Sequence, residues 1–402
     1  MYTAPPLTSE ELEVRASIQE LSDALKHQVR QGNRWTAPLR RMTFARNVQG
    51  SNSIEGINAS VDDVAAIAQG ETPATVDEDT ERALAGYQLA MTYVLQLAQD
   101  PVVVDPTLIR SLHYMVTSHD LTKRPGRYRI GPVFVQQEST GDIVHEGADA
   151  GALPELMDEL ANSVMGSGDL LIDAAMAHLN FVLIHPFKDG NGRMARVLQS
   201  LVLAGDDDIS PVFLSTEEYL GRHTQAYYDV LAAVGQGEWA PESATPEQVR
   251  PWIRFVLTAH FNQAMERASR IVAAGKASTA LSDLLEGAGV DDRAMDALFD
   301  ALFGATVTRG RYMTSLAESG TEISPQTATR DLTTLAQAGL LTATGEKRGR
   351  AYTAAEPLLN LRREVGLGRA WRHIDPFSTS PQVGPGSVPR ALPPEAVERE
   401  PA

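Results

Sequence analysis

The stretch that decides the fold reads His185-Pro-Phe-Lys-Asp-Gly-Asn-Gly-Arg-Met-Ala-Arg196. It follows an apolar segment that predicts a buried helix, and the residues from Arg193 to about Leu203 predict a second apolar helix. The glycine-rich turn between these helices places consecutive backbone N–H groups at the start of the second one. Because the helix dipole adds to these donors, such a turn is a typical anion-binding site.

Four side chains of this stretch suit nucleotide phosphate chemistry. Arg193 and Arg196 lie three residues apart on one face of the first helical turn, so their guanidinium groups converge on the same anion. Asp189 is the natural Mg²⁺ ligand, since Mg²⁺ takes one or two carboxylates together with phosphate oxygens and water. His185 can exchange a proton near neutral pH and is the candidate general base.

The composition excludes several other classes of protein. The chain has 402 residues and a formal net charge of −17. It contains no cysteine, and this excludes disulfides, thiolate zinc sites and cysteine nucleophiles. So acidic a surface repels polyanions unless a local basic patch is present. Neither a signal peptide nor a membrane-spanning run is expected, and we predict a cytoplasmic location without membrane contact.

The pattern around the decisive stretch is helical almost throughout. Thr8 and Glu11 read as a capping box. Further helices are expected at 79–98, from 105, from 153, and at 170–184, 217–234 and 249–268. A small β-hairpin interrupts them, with strands at 127–130 and 133–135, a turn at 139–142 and a return strand at 143–145. His113 and His178 are expected in the core, and His145 in a solvated turn.

The stretch 185–196 resembles the signature of the Fic family, His-Pro-Phe-x-Asp/Glu-Gly-Asn-Gly-Arg-x-x-Arg, at every position. The resemblance covers about residues 79–268 and implies an all-α Fic helical bundle with a small β-hairpin flap. It also implies a protein adenylyltransferase, which moves AMP from ATP to a Ser, Thr or Tyr hydroxyl of a target protein or of itself. The alternative on the same scaffold is a hydrolase that removes AMP from a target.

The same resemblance assigns roles to individual residues. It makes His185 the catalytic base and Asp189 the ligand of Mg²⁺ or Mn²⁺, with Phe187 as a core wedge. The nucleotide-binding residues that it implies are Gly190, Asn191, Gly192, Arg193, Met194, Ala195, Arg196 and, near the adenine, Tyr228. The flap, roughly Gly131 to Glu146, is expected to dock an unknown target protein as an added strand.

A second motif lies upstream and reads Ser51-Asn-Ser-Ile-Glu55-Gly56. By itself it could be a helix that stops at glycine. Beside a Fic core it resembles the family's inhibitory helix, whose Glu, here Glu55, pairs with Arg196 and displaces the γ-phosphate. In the hydrolase alternative, Glu55 orients a water.

The C-terminal part predicts a winged helix, with two helices and then a hairpin. From Arg309 to Arg350 six basic residues stand against four acidic ones, a local charge near +2. A DNA-binding regulator with a nucleotide-sensing Fic core is therefore the alternative from another class, and a protein-interaction module or a homodimer also stays open. The predicted domains are 1–75, 76–270, 275–365 and a disordered tail at 370–402.

Overall fold

The computed structural model describes residues 1–30, 32–99, 103–136, 141–164, 168–204, 211–369 and 371–378. Helices dominate this part of the chain and its strands are short, so the all-α prediction is confirmed. Within the described ranges, no helix is both long and apolar enough to cross a membrane. The tail predicted at 370–402 lies mostly outside the described residues.

The elements are numbered in chain order. The helices are α1 (Ser9–Arg30), α2 (Thr36–Ile54), α3 (Val61–Ala68), α4 (Glu78–Leu97), α5 (Pro106–Thr117), α6 (Leu153–Ser163), α7 (Leu170–Ile184), α8 (Asn191–Leu203), α9 (Glu217–Arg222), α10 (Thr224–Gly235), α11 (Pro246–Ala288), α12 (Met295–Phe303), α13 (Arg309–Glu318), α14 (Pro325–Gln337) and α15 (Glu356–Glu364). The strands are β1 (Phe134–Gln136), β2 (Ile143–Glu146), β3 (Val307–Thr308), β4 (Leu341–Thr344) and β5 (Ala351–Ala354).

The chain divides into two compact units, and the division differs from the predicted domains. One unit holds residues 1–6 and 43–263, and the other holds residues 7–42 with the described residues from 264 onward. The boundary predicted at 270–275 falls inside α11, which continues past Gly275 to Ala288. A glycine costs a helix only about 1 kcal/mol relative to alanine, and α11 buries Ala274 and Leu281 on either side of it.

The core of the first unit is built on α7 and α8, which pack along each other. Asp169 caps α7 as predicted, its carboxylate accepting a hydrogen bond from the Leu171 N–H at 3.0 Å. The prediction that α7 lies buried on nearly every face is also confirmed, because twelve of its fifteen residues are buried, including Asp173, His178 and Asn180. Because α7 and α8 are closely packed, the turn that joins them is held in a fixed position.

Two expectations in this unit were wrong. The helix predicted at 217–234 breaks at His223, where α9 ends and α10 begins. A Cβ on Gly221 would lie 2.7 Å from the Cα of Gly50, so α9 and α2 pack backbone against backbone. Residues 127–130 do not form a strand.

The small hairpin pairs β1 with β2 in antiparallel fashion, with Val135 opposite His145. Part of the predicted turn lies outside the described residues, since 137–140 are not among them. His145 is not in a solvated turn as predicted. It is buried, and its Nε2 lies 2.7 Å from the carbonyl oxygen of Leu183 at the end of α7.

In the second unit, α13 and α14 precede the β4–β5 hairpin. Strand β5 pairs with both β3 and β4 in a three-stranded antiparallel sheet. Ser324 caps α14 by accepting a hydrogen bond from the Thr327 N–H. The order of helix, helix and hairpin is the predicted one, while the winged-helix assignment stays a prediction.

Candidate active site

The α7–α8 turn is closed by its own side chains. His185 ends α7 in the left-handed conformation with φ +53°, and Gly190 precedes α8 with φ +77°. Asn191 locks the turn, because its Oδ1 accepts from the Phe187 N–H and its Nδ2 donates to the Phe187 carbonyl, both at 2.9 Å. No side chain caps α8, so its first N–H groups are left for a ligand.

Phe187 is the predicted core wedge. Its ring is fully buried and stacks on the ring of His113 with 3.6 Å between centroids. The Gly126 N–H donates to Nδ1 of His113, so the proton of this ring is on Nε2 and is donated to the Asp189 carbonyl at 3.0 Å. Burial lowers the pKa of His113 to about 4. His113 is thus a satisfied core histidine, as predicted, and it also fixes the turn.

The two arginines of the motif are almost completely buried, with 1% of each exposed. Nη2 of Arg193 lies 3.5 Å from Oδ1 of Asp189. Nε and Nη1 of Arg193 and Nη1 of Arg196 have no hydrogen-bond partner among the described residues. An unpaired buried donor costs roughly 1–3 kcal/mol. Three of them beside the uncapped start of α8 describe a site for a multiply charged anion.

Arg196 and Glu55 form the contact that closes this site. Nη2 of Arg196 donates to Oε1 of Glu55 at 2.7 Å. The same carboxylate oxygen occupies the space that a Cβ on Gly192 would take, so it lies over the first turn of α8. Burial alone would lower the pKa of Arg196, but the charge of Glu55 raises it.

A buried chain of hydrogen bonds, which the sequence did not reveal, holds Arg196 from behind. Nε of Arg196 donates to Oγ of Ser51 at 2.6 Å, and its Nη2 donates to the Ser51 carbonyl at 2.9 Å. Ser51 donates in turn to the Tyr87 hydroxyl, which donates to Oε1 of Glu217, each at 2.8 Å. Ser51, in the last turn of α2, therefore orients the same arginine that Glu55 contacts from just beyond the end of that helix.

His185 has one ring nitrogen free for chemistry. Its Nδ1 lies 3.1 Å from the Val182 carbonyl, which can only accept, so Nδ1 carries the proton and Nε2 has the lone pair. Desolvation by the surrounding groups, with smaller effects of His145 and Arg129, lowers the pKa of His185 to about 4. The ring is therefore neutral near pH 7 and able to accept a proton.

Arg129, also missed from the sequence, ties the flap to the end of α7. Its Nε donates to the His185 carbonyl and its Nη1 to the Gly131 carbonyl, both at 2.8 Å, and its Nη2 bonds the Ala148 carbonyl. Gly131 and Ala148 stand at the two roots of the hairpin. One buried guanidinium thus holds both roots and the backbone of His185. Because Lys123, Arg124 and Arg127 stand just before Arg129, no local sequence pattern singled this residue out.

Asp189 lies at the open edge of the site with 36% of its side chain exposed. Nζ of Lys123 lies 2.7 Å from its Oδ2. Burial by itself would raise the pKa of Asp189, but Lys123, Arg193 and the Gly190 N–H together lower it. No group of three or more His, Asp or Glu side chains in the described ranges could hold a metal ion by itself. A cation here needs oxygens from a ligand to complete its shell.

The remaining predicted nucleotide-binding residues differ in their access. Met194 and Ala195 have no exposed surface, and the Met194 N–H donates to the Gly190 carbonyl at 2.9 Å, so neither side chain is accessible to a ligand. Tyr228 is 43% exposed, and its hydroxyl donates to the Ile54 carbonyl next to Glu55 at 3.1 Å. His178 is a core residue as predicted, bonded to Gln199 and Tyr227.

Comparison with known proteins points to one family. Residues 103–203 match the model of the Fic/DOC family. The chain is 26% identical over 247 residues to a protein adenylyltransferase Fic of Drosophila mojavensis, covering 60% of this chain and 44% of that protein. It is 29% identical over 223 residues to one of Aedes aegypti, covering 53% of this chain and 39% of that protein. The chain thus spans less than half the length of these curated relatives.

A solved structure shows the same fold. The crystal structure of a Fic family protein from Desulfovibrio desulfuricans aligns with a TM-score of 0.56 at 22% identity. The alignment covers 88% of this chain and 99% of that one. The arrangement of helices and hairpin is therefore shared over most of the chain.

Proposed function

We propose that this chain, whose residues 103–203 match the model of the Fic/DOC family, is a protein adenylyltransferase that transfers AMP from ATP to a Ser, Thr or Tyr hydroxyl. The observation that carries the proposal is the set of unpaired buried donors on Arg193 and Arg196, beside a histidine with a free Nε2. The first feature suits a triphosphate and the second a proton acceptor. The curated relatives named protein adenylyltransferase support the same activity.

The triphosphate lies along the start of α8 in this proposal. The backbone N–H groups of Gly190, Asn191 and Gly192 receive the α- and β-phosphates. Met194, whose N–H donates to the Gly190 carbonyl at 2.9 Å, and Ala195 follow them on α8. Nη1 and Nε of Arg193 bind toward the β/γ end, and Arg196 orients the γ-phosphate. Tyr228, exposed on α10, stacks near the adenine.

His185 acts as the general base. The target hydroxyl gives its proton to Nε2 while its oxygen bonds to the α-phosphorus. The bond from that phosphorus to the oxygen bridging to the β-phosphate breaks, and pyrophosphate leaves. The Val182 carbonyl keeps the proton on Nδ1, so Nε2 is free to accept.

We assign Asp189 as the protein ligand of Mg²⁺ or Mn²⁺. A partly exposed carboxylate beside the phosphate site has the hard oxygen these cations prefer, and a single carboxylate suffices when phosphate oxygens complete the shell. Such a cation neutralises negative charge on the phosphates. Asp189 must first be released from Lys123, which holds it at 2.7 Å.

We also propose that Glu55 restrains the enzyme. Arg196 cannot give Nη2 to a γ-phosphate while that atom donates to Glu55. The Glu55 carboxylate over Gly192 adds a negative charge where a phosphate must lie. ATP then binds with its triphosphate displaced, and transfer is slow.

The target is proposed to dock on the flap, roughly Gly131 to Glu146, as an added strand. Phe134 and Ile143 of this hairpin are large apolar residues with about half of their surface exposed. A cytoplasmic location is proposed as well, and the absence of cysteine is compatible with it.

The test is to incubate the protein and a cell lysate with ATP labelled at the α-phosphorus or, in parallel, at the γ-phosphorus. AMP transfer labels protein only from the α-position, and mass spectrometry should find AMP on a hydroxyl side chain. Label from the γ-position would indicate a kinase and contradict the proposal. Loss of AMP from a previously modified target, without transfer, would favour the hydrolase alternative.

A further inference from the structure

The face of α14 turned away from its own core is polar and contains no exposed acidic residue. Ala328, Leu332 and Leu335 are fully buried and hold the helix in its unit. Asp331, the one acidic residue of α14, is also buried, with an oxygen 2.8 Å from Nε of Arg293. The open side of α14 is lined by Gln326, Thr329, Arg330, Thr333 and Gln337, and Arg309 at the start of α13 lies across from them.

These residues border an open cleft of about 490 Å³ along α14. Arg330 is 72% exposed, with its Nε 4.0 Å from Oδ1 of Asp331. The Thr329 hydroxyl donates to the Pro325 carbonyl, which leaves its lone pairs as acceptors. The cleft therefore offers amide, guanidinium and hydroxyl groups, the set that reads base edges.

The β4–β5 hairpin adds positive charge next to this helix, since β4 packs against α14. Lys347 and Arg350 are exposed at its tip. Lys347 has a φ of +50°, a backbone conformation that suits glycine far better than lysine.

The acidic residues nearby are few. Glu318 pairs with Arg41 at 3.2 Å, Glu322 is exposed in the turn before α14, and Glu346 is exposed beside Lys347. Although the chain as a whole has a net charge of −17, this surface can bind a polyanion. A helix of this length also fits the DNA major groove, which is about 12 Å wide.

We propose that this surface binds duplex DNA, with α14 in the major groove and the β4–β5 hairpin on the phosphate backbone. Gln326 and Arg330 then contact base edges, whereas Lys347 and Arg350 contact phosphates. The proposal goes beyond AMP transfer and does not depend on it, because none of these residues belongs to the α7–α8 site. The winged-helix order of the elements agrees with such a docking geometry.

The experiment measures fluorescence anisotropy of the full chain with labelled random-sequence duplexes of about two helical turns, at salt from about 50 to 200 mM. Binding should weaken steeply as salt increases. Sequence selection from the same random pool, followed by titration of the enriched duplex, then gives specific binding. Arg330→Ala should weaken that specific binding by roughly tenfold or more.

Lys347→Gly combined with Arg350→Ala should weaken binding to all sequences and reduce the slope of log K against log salt by about two. Glycine relaxes the backbone at 347, so thermal stability should not fall, and weaker binding cannot be attributed to unfolding. Lys276→Ala, which removes one exposed charge from α11 in the same unit, is the control matched in charge to Arg330→Ala and should change binding little.

Absence of binding at the lowest salt would overturn the proposal, as would equal losses in the control and the hairpin variants. His185→Ala should bind DNA like the wild type. If the protein binds DNA but does not transfer AMP, only the proposed enzyme activity is refuted. If it transfers AMP but does not bind DNA, only the proposed DNA site is refuted.

Discussion

Oε1 of Glu55 lies 2.7 Å from Nη2 of Arg196, and the same oxygen lies over Gly192. One carboxylate therefore engages the buried arginine and covers the start of α8 at once. Gly50 lies in α2, which ends one residue before Glu55, and it contacts the backbone of Glu217 so closely that a Cβ would have no room there. The contact between Glu55 and Arg196 is thus held in place by the packing of α2 on α9.

Replacement of His185 tests the proposed base. His185→Ala should lose transfer by about 10²–10⁴-fold, the usual contribution of a general base, while ATP binding stays close to wild type. His185→Asn is the sharper variant, because its amide can still donate to the Val182 carbonyl but cannot take a proton. Wild-type transfer by either variant, measured with α-labelled ATP, would contradict the assignment.

As the pH falls, the free energy of unfolding should decrease before His185 becomes protonated and can no longer act as a base. The pKa values of His113 and His185 fall to about 4, and that of His178 to about 3, from 6.5. The unfolded chain therefore binds more protons below about pH 6.5, so the stability from neutral histidines is full above that pH and is lost as the pH falls toward 4. Urea denaturation at about pH 7.5 and 5.5 should show lower stability at 5.5, and an equal or higher value would contradict this.

The rate of transfer should have a different pH dependence. Since the folded pKa of His185 is about 4, Nε2 stays unprotonated down to that region. The rate should show no loss attributable to His185 between about pH 7.5 and 5.5 under conditions where the protein remains folded. A titration of activity centred near 6.5 that disappears in His185→Asn would show that the base is less desolvated than the structure indicates.

Asp189→Asn tests the cation. The amide has the size of the carboxylate but a weaker hold on Mg²⁺, so half-maximal activity should need much more metal, and EDTA should abolish transfer in the wild type. Lys123→Met is the informative partner, because it frees Asp189 and should leave metal dependence intact or shift it to lower concentration. Undiminished transfer in EDTA would contradict the metal assignment.

Arg129 should affect turnover more than ATP affinity. Arg129→Met leaves the His185, Gly131 and Ala148 carbonyls without their donor, at a cost of roughly 2–4 kcal/mol in unfolding free energy. Arg129→Lys should recover much of that stability but not the forked contact. The lysine variant should therefore show a lower kcat with a nearly unchanged KM for ATP, and wild-type kcat would show that Arg129 serves only the fold.

The sequence predicts this site best where its parts are contiguous. Residues 185–196 form one turn and one helix start, so their relative positions follow from helical spacing alone, and the cap at Asp169 appears as predicted. The contacts of Arg129 with Ala148 and of Tyr87 with Glu217 join residues 19 and 130 positions apart. Periodic patterns in a sequence relate residues only a few positions apart, so they cannot predict such pairs. Similarly, Gly275 looks like a helix end until the burial of α11 on both sides is known.

The most direct test compares Glu55→Gly with the wild type by transfer of α-labelled AMP across a range of ATP concentrations. A partly buried charged hydrogen bond is worth roughly 1–3 kcal/mol, so the variant should be about tenfold to a hundredfold more active. Arg196→Ala should be inactive with or without Glu55, because its γ-phosphate contact is absent in both. Equal activity of wild type and Glu55→Gly at every ATP concentration would contradict the restraint and leave Glu55 an ordinary helix-end residue.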